Sequence, residues 1–317
     1  MKNNYFSPEG SRLYTKDNLS YISNLSGLER AMNDGAVLEA MAMLCDGDLN
    51  LHVDLFGIKG IIPKEECVFS PCKEPVKDIA IITRVGKPVC FKVKAIEPQG
   101  DTFRAILSRR EAQAECYNYY LSSLIPGDII PATVTHLDNF GAFVDIGCGL
   151  VSLLSIDCIS LSRISHPSDR LGVGQKLNVA VRSNNAETGR IYVTLKELLG
   201  TWEENAASFC AGQTVFGIVR SIESYGIFVE LAPNLTGLAE PKDANPIFRD
   251  IEVGDGVSVY IKSILPDRMK IKLVLIDVNP SPPCLVALKY YTDAEHMDIW
   301  RYSPEGCTKT IETDFTK

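Results

Sequence analysis

Residues 127–147 read GDIIPATVTHLDNFGAFVDIG, and residues 212–232 repeat the same pattern as GQTVFGIVRSIESYGIFVELA. Each copy begins with a glycine and a polar residue, continues through β-branched residues, turns at a second glycine and returns as an alternating strand. Such runs, bounded by turn residues, are typical of short paired strands. The turn glycines Gly141 and Gly226 lie 85 residues apart, a spacing that fits one small domain plus a linker.

The return strand of each copy carries an aromatic residue on its outer face. Side chains of a strand point alternately to its two faces. If Val144 faces the core, Phe143 and Asp145 share the outer face, and the second copy places Phe228 and Glu230 in the same way.

The aromatic residue before each turn glycine, Phe140 or Tyr225, extends this outer face. Exposed apolar groups that recur in two copies indicate a contact surface. The alternative is that the rings only cover the barrel edge or touch a neighbouring domain.

Each copy supplies five short strands, which predicts an all-β fold of tandem five-stranded OB-type barrels joined by short helices. An earlier, degenerate copy has Leu49 and His52 at the ring positions, so its stacking surface is largely lost. The predicted division is an N-terminal extension with a short helix (1–34), a degenerate barrel (35–110), a helical linker (111–125), a barrel (126–197), a second helical linker (198–211), a third barrel (212–277) and a tail (278–317).

Two local patterns refine the linkers and the tail. Thr201 and Glu204 have the spacing of a capping box, which starts a helix that Gly212 is expected to end. In the tail, Leu285–Tyr291 and Met297–Tyr302 are two apolar-aromatic runs that predict a β-hairpin.

Composition restricts the classes of function. The net charge of −8 argues against binding nucleic acid mainly by neutralising phosphates, but it leaves stacking on aromatic rings open. The ten cysteines form no C-x-x-C pair, so we expect reduced thiols and no metal site. The absence of a long apolar run and of an apolar N-terminal segment predicts a cytoplasmic protein without membrane contact.

The sequence offers no catalytic motif. None of the four histidines stands in a known arrangement with a nucleophile and an acid, and no phosphate-binding glycine loop is present. The carboxylates are scattered rather than clustered for metal binding. We therefore expect no enzyme activity and no cofactor.

The two turn-and-strand segments, NFGAFVD (139–145) and SYGIFVE (224–230), resemble the signature of the S1 RNA-binding domain family. The join TLKELLGTW (194–202) is similar to the joins between repeats of bacterial ribosomal protein S1. The resemblance is strong for 126–277, weaker for 35–110, and does not clearly reach the N-terminal extension or the tail. It indicates a short relative with three S1 repeats.

The resemblance implies an RNA face made of two aromatic residues, a histidine after a Gly-Leu step, and an aspartate and an arginine before the last strand. The second barrel matches with Phe140, Phe143 and Arg190, but has Ser152 and Asn185 at the histidine and aspartate positions.

The third barrel keeps Tyr225, Phe228 and the basic Lys270. It has Glu240 at the histidine position and Pro266 at the aspartate position, which makes its affinity for RNA more doubtful.

Three residues in the long loop of the second barrel could add phosphate contacts: Arg163, His166 and Arg170. Solvated loop charges and a structural His166–Pro167 pair are an equal alternative. The resulting hypothesis is non-catalytic binding of single-stranded RNA, mainly messenger RNA, in translation at the small ribosomal subunit, with small-subunit proteins as further partners. The alternative is a protein-docking adaptor on the ribosome or an RNA-processing complex.

Overall fold

The computed structural model describes residues 6–71, 76–185, 188–240, 251–279 and 288–317. Within these residues the chain forms three closed five-stranded barrels, one after another in sequence, with short helices between and before them. The predicted fold class of tandem OB-type barrels is confirmed. In each barrel the third and fifth strands run parallel, and the other neighbouring strands are antiparallel.

The first barrel consists of β1 (Leu38–Cys45), β2 (Leu51–Leu55), β3 (Ile58–Ile62), β4 (Pro88–Gln99) and β5 (Thr102–Ser108). Its closed strand order is β1-β2-β3-β5-β4. The side chains of Leu51, Val53 and Leu55 alternate into the core, while the residues between them face outward. This alternation is what an apolar-polar period of two dictates.

The second barrel consists of β6 (Ile129–Asp138), β7 (Gly141–Asp145), β8 (Val151–Ser155), β9 (Lys176–Asn185) and β10 (Arg190–Thr194). Ala142, Val144 and Ile146 are buried, as the alternation predicts. Gly141 allows a close approach between β7 and β8, because a Cβ atom there would lie 2.5 Å from the carbonyl oxygen of Leu154.

The third barrel repeats this topology with β11 (Thr214–Glu223), β12 (Gly226–Ala232), β13 (Leu235–Ala239), β14 (Gly256–Leu265) and β15 (Lys270–Asn279). Its core includes Val219, Val229 and Val257, which have no exposed surface.

The helices are α1 (Lys16–Ile22), α2 (Leu25–Asp34), α3 (Ile79–Ile82), α4 (Arg109–Ser123) and α5 (Trp202–Ala206). The capping box of α5 is present, with Thr201 and Glu204 each bonding the other's backbone N–H. The expectation that this helix runs to Gly212 is wrong. The chain turns after Ala206, where the N–H of Phe209 already bonds back to the Ala206 carbonyl.

The tail forms a hairpin different from the predicted one. β16 (Ile299–Arg301) pairs with β17 (Glu312–Asp314), and residues 288–291 form no strand; residues 285–287 of the predicted partner lie outside the described residues. The tail instead lies across two barrels. Tyr290 accepts a hydrogen bond from the Asn178 N–H of the second barrel, and Tyr302 donates one to the Asn234 carbonyl of the third.

Candidate nucleic-acid interface

Two aromatic rings stand on the outer face of the second barrel. Phe140, just before β7, is 51% exposed, and Phe143 lies on β7 with its side chain partly exposed. Their ring centroids are 5.8 Å apart and their planes meet at 89°. An edge-to-face pair offers ring surfaces in two directions, and any nucleobase has a flat face to stack on such a surface.

A third ring, which the sequence reasoning missed, joins this pair. His136 on β6 lies opposite Phe143 in the strand register and is exposed. The two rings are nearly parallel, with centroids 6.1 Å apart and an interplanar angle of 23°. Alternation assigns a residue to a face of its own strand but does not tell which residue of the neighbouring strand lies beside it.

Ser152 is wrong as a residue of this face. It is 3% exposed, and its hydroxyl donates a 2.7 Å hydrogen bond to the carbonyl oxygen of Ile191. The strand register is the reason, because Ser152 pairs with the core-facing Val144. Ser155, which pairs with Gly141 next to the rings, occupies the surface position instead.

Arg190 and Asn185 face each other across the β9–β10 turn, and both are exposed. The Asn185 side chain accepts a 2.9 Å hydrogen bond from the Thr188 N–H, which ties it to the turn. Arg190 lines a groove of about 540 Å³ together with Phe143. Phe143 therefore contacts Phe140 and also lines the groove to which Arg190 contributes.

The third barrel carries an equivalent pair of rings. Tyr225 is 58% exposed, and its ring centroid lies 6.1 Å from that of Phe228, with an angle of 89° between the planes. The residue opposite Phe228 is Ser221, so no third ring is present at that position. Lys270 is exposed at the start of β15, where it faces Leu265.

Two further positions distinguish the third barrel. Glu240 is exposed directly after β13 and corresponds by register to Ser155 of the second barrel. A carboxylate there repels phosphate groups. Pro266 begins a 3₁₀ turn one position beyond Leu265, so Leu265 and not Pro266 occupies the place of Asn185.

The three loop residues proposed for phosphate binding have different environments. Arg163 is exposed. His166 caps a 3₁₀ turn, where its Nδ1 accepts a 3.1 Å hydrogen bond from the Ser168 N–H. Arg170 is wrong as a phosphate contact, because its side chain is 1% exposed and is bound to Glu230.

The carboxylates beside the rings are buried, which corrects the expectation that they lie on a wet face. Glu230 accepts hydrogen bonds from Nη2 of Arg170 at 2.8 Å and from Nε of Arg220 at 2.6 Å. Because Arg170 lies in the loop of the second barrel, this loop packs against the third barrel. Asp145 accepts a 2.7 Å hydrogen bond from the Glu9 N–H, so the N-terminal segment docks on the second barrel. Burial raises the pKa of Asp145 to about 7.

The corresponding face of the first barrel has no ring pair. Leu49 is partly buried, and Nε2 of His52 lies 2.8 Å from the Asp46 carboxylate. The hydrogen bond from His52 lowers the pKa of Asp46 to about 2.

In the part of the chain that the structure describes, no group of three or more His, Cys, Asp or Glu side chains is arranged to hold a metal ion. None of the described helices has the length and apolar character needed to span a membrane.

Residues 123–196 match the family described as "S1 RNA binding domain". The small ribosomal subunit protein bS1 of Leuconostoc lactis is 30% identical to this chain over 270 residues, which cover 82% of the chain and 59% of the relative. The bS1 protein of Rhizobium meliloti is 27% identical over 72% of the chain and 38% of the relative. The chain thus spans less than two thirds of the length of either protein.

Among solved structures, the chain matches the multidomain protein with nucleic acid binding domains from Streptococcus pneumoniae. It is 16% identical, with 77% of this chain and 74% of that chain covered and a TM-score of 0.24. At this TM-score the similarity carries no weight for function.

Proposed function

Because the chain belongs to the S1 RNA-binding domain family through residues 123–196 and resembles bacterial ribosomal protein S1, we propose that it binds single-stranded RNA without catalysing a reaction. The second barrel is the main binding site. The observation that carries this proposal is the surface of three rings, His136, Phe140 and Phe143, with Arg190 beside it.

The rings suit a single strand rather than a duplex. Stacking of one base on an aromatic side chain contributes roughly 1–3 kcal/mol, and it tolerates any sequence because every base has a π-face. Bases in a duplex are already stacked on one another and do not reach these rings. Arg190 supplies a phosphate contact, Ser155 a hydroxyl, and Asn185 shapes the turn that carries the arginine.

The third barrel is the weaker second site. Tyr225, Phe228 and Lys270 provide stacking and one cation, while Glu240 opposes a bound phosphate. Two modest sites in tandem gain affinity through effective concentration, because the second contact becomes intramolecular. Arg163 is the loop residue that remains exposed for a further phosphate contact.

Messenger RNA is the RNA that we propose, with the cytoplasmic small ribosomal subunit as the place of action. The relatives support the place of action, since they are small ribosomal subunit proteins. The chain's net charge of −8 is consistent with binding in which stacking contributes more than neutralisation of phosphates.

Fluorescence anisotropy with labelled RNA tests the proposal. Wild-type protein is expected to bind a single-stranded oligonucleotide with modest affinity and a duplex of the same sequence with lower affinity. The affinity for the single strand should fall as the salt concentration increases. Absence of binding to single-stranded RNA at low salt, or an equal affinity for the duplex, would contradict it.

A second function is supported by the first barrel. Met43, Phe56 and Phe103 are exposed there, at 63%, 63% and 41%, and no ring pair occupies the position used in the other barrels. We infer that this barrel docks a protein partner, such as a protein of the small subunit. Cosedimentation with small subunits should then persist in Phe140→Ala/Phe143→Ala and be lost in Phe56→Ser; the opposite pattern would rule out docking by the first barrel.

A further inference from the structure

The face of the second barrel does not end at Phe143. It continues into the groove of about 540 Å³ that lies between the first barrel, α4 and the second barrel. One wall comes from the start of β8 and of β10, including Val151 and Tyr192. The opposite wall comes from the first barrel and from α4. Pockets that hold small organic ligands commonly measure about 300–1,000 Å³.

The far wall of the groove is aromatic. Phe69 and Tyr117 both line it, with ring centroids 5.3 Å apart and an angle of 57° between the planes. Tyr117 also packs on the turn that carries Arg190, since a Cβ atom on Gly189 would lie 1.8 Å from the Tyr117 hydroxyl oxygen. The groove therefore has aromatic residues on both sides: Phe143 and Tyr192 on the near side, and Phe69 and Tyr117 on the far side.

Arg109 and Arg84 in the groove differ in how many of their hydrogen-bond donors already have partners within the protein. Arg109 uses its donors within the protein. It donates hydrogen bonds of 2.7 and 3.0 Å to the Glu9 carboxylate and one of 3.1 Å to the Cys67 carbonyl. Arg84 reaches Glu9 only at 3.5 Å through Nη1. Its Nε is buried and has no hydrogen-bond partner among the described residues. A buried donor without a partner costs free energy, which an acceptor on a ligand would recover.

We propose that this groove holds one nucleotide of the bound RNA strand. Its base lies between Phe143 and the Phe69–Tyr117 pair, with an acceptor on the base edge toward Nε of Arg84. Its phosphate lies at the exposed rim beside Arg190. The first barrel thus contributes to RNA binding although its own outer face lacks rings. This inference rests on the proposed RNA-binding function and extends it to a specific site between two barrels.

The test is a variant that fills the groove without touching the outer face of the second barrel. Ala80 on α3 lines the groove, and Ile79 beside it is 61% exposed and does not line it. Ala80→Trp is expected to weaken binding of a labelled single-stranded RNA oligonucleotide by about tenfold, within the range for one lost stacked base. Ile79→Trp is the matched control and should leave the affinity unchanged.

Photo-crosslinking of wild-type protein gives a second measurement that depends on no variant. A single-stranded RNA containing 4-thiouridine should crosslink to Phe69 or Tyr117 in addition to the rings of the outer face. Crosslinks confined to Phe140 and Phe143, or equal RNA affinity of Ala80→Trp and wild type, would overturn the groove site and leave RNA binding by the second barrel intact. Failure of wild-type protein to bind RNA would overturn both.

Discussion

The second and third barrels carry the same pair of rings in the same edge-to-face geometry, yet the surroundings of the two pairs differ. Beside Phe143 lie a third ring, a serine and a groove with an arginine at its rim. Beside Phe228 lie Ser221 in place of the histidine and Glu240 in place of the serine. A ring pair alone thus does not define an RNA site, because its affinity depends on the charges and rings around it.

The carboxylates beside the two ring pairs have different partners. Asp145 of the second barrel accepts a hydrogen bond from the Glu9 N–H, whereas Glu230 of the third barrel is buried against two arginines, one of which comes from the second barrel. Removing Arg170 leaves this buried carboxylate without one of its charge partners, and such a loss costs about 3 kcal/mol. Arg170→Met should therefore lower the free energy of unfolding by about that amount in urea titrations.

Arg163→Met, in the same loop but exposed, is the matched control and should not change stability. Equal unfolding midpoints of the two variants would show that the loop does not hold the third barrel.

Exchanging the third ring between barrels tests how much it contributes. His136→Ser is expected to weaken RNA binding about fivefold, the effect of one weak stacking contact. Ser221→His in the third barrel should strengthen binding, by a smaller factor because Glu240 remains nearby. Titrations by anisotropy measure both, and unchanged affinity of His136→Ser would remove this ring from the site.

Reversing the charge of Glu240 tests the electrostatic difference. Glu240→Lys should raise RNA affinity about threefold at low salt, since an exposed charge contributes less than about 1 kcal/mol. The gain should disappear at high salt, where exposed charges are screened. Glu252→Lys serves as a control for net charge alone, because this exposed residue precedes β14, whose first residue pairs with Ile218 and not with the turn beside Tyr225. An equal gain in both variants would argue against a local effect of Glu240.

A further prediction concerns the pH dependence of stability. Because burial raises the pKa of Asp145 to about 7, the folded state keeps a proton at pH 5–6 that the unfolded chain has lost. The stability that this proton contributes is present below about pH 4 and is lost as the pH rises to about 7. Asp145→Asn should flatten the change of melting temperature between pH 5 and 8, even though it also loses the bond from the Glu9 N–H. An unchanged slope would contradict the raised pKa.

Much of the fold followed from local patterns. Period-two alternation and turn glycines predict the strands of the second and third barrels and the outward position of Phe143 and Phe228, because these features depend only on neighbouring residues. The register between strands could not be predicted from these patterns. The Gly149–Leu150 step lies in a loop before β8, whereas Gly237–Leu238 lies within β13. Because the two steps are not structurally equivalent, the same count from each step selected Ser152 in the second barrel instead of Ser155.

Contacts between residues that are far apart in the sequence could not be predicted either. The burial of Arg170 depends on Glu230, 60 residues away, and nothing in the loop itself distinguishes it from the exposed Arg163. The strands of the tail hairpin have three residues each, too few to show a period. The groove is likewise assembled from Phe69, Tyr117 and Phe143, which come from a loop of the first barrel, from α4 and from β7.

The most direct test of the central claim, that the second barrel is the main RNA site, is to compare two matched double variants by fluorescence anisotropy on one single-stranded RNA. Phe140→Ala/Phe143→Ala is expected to lose about thirtyfold in affinity, as two stacked bases are lost. Tyr225→Ala/Phe228→Ala should lose less than about fivefold. Equal losses in the two variants, or a larger loss in the third barrel, would contradict the claim.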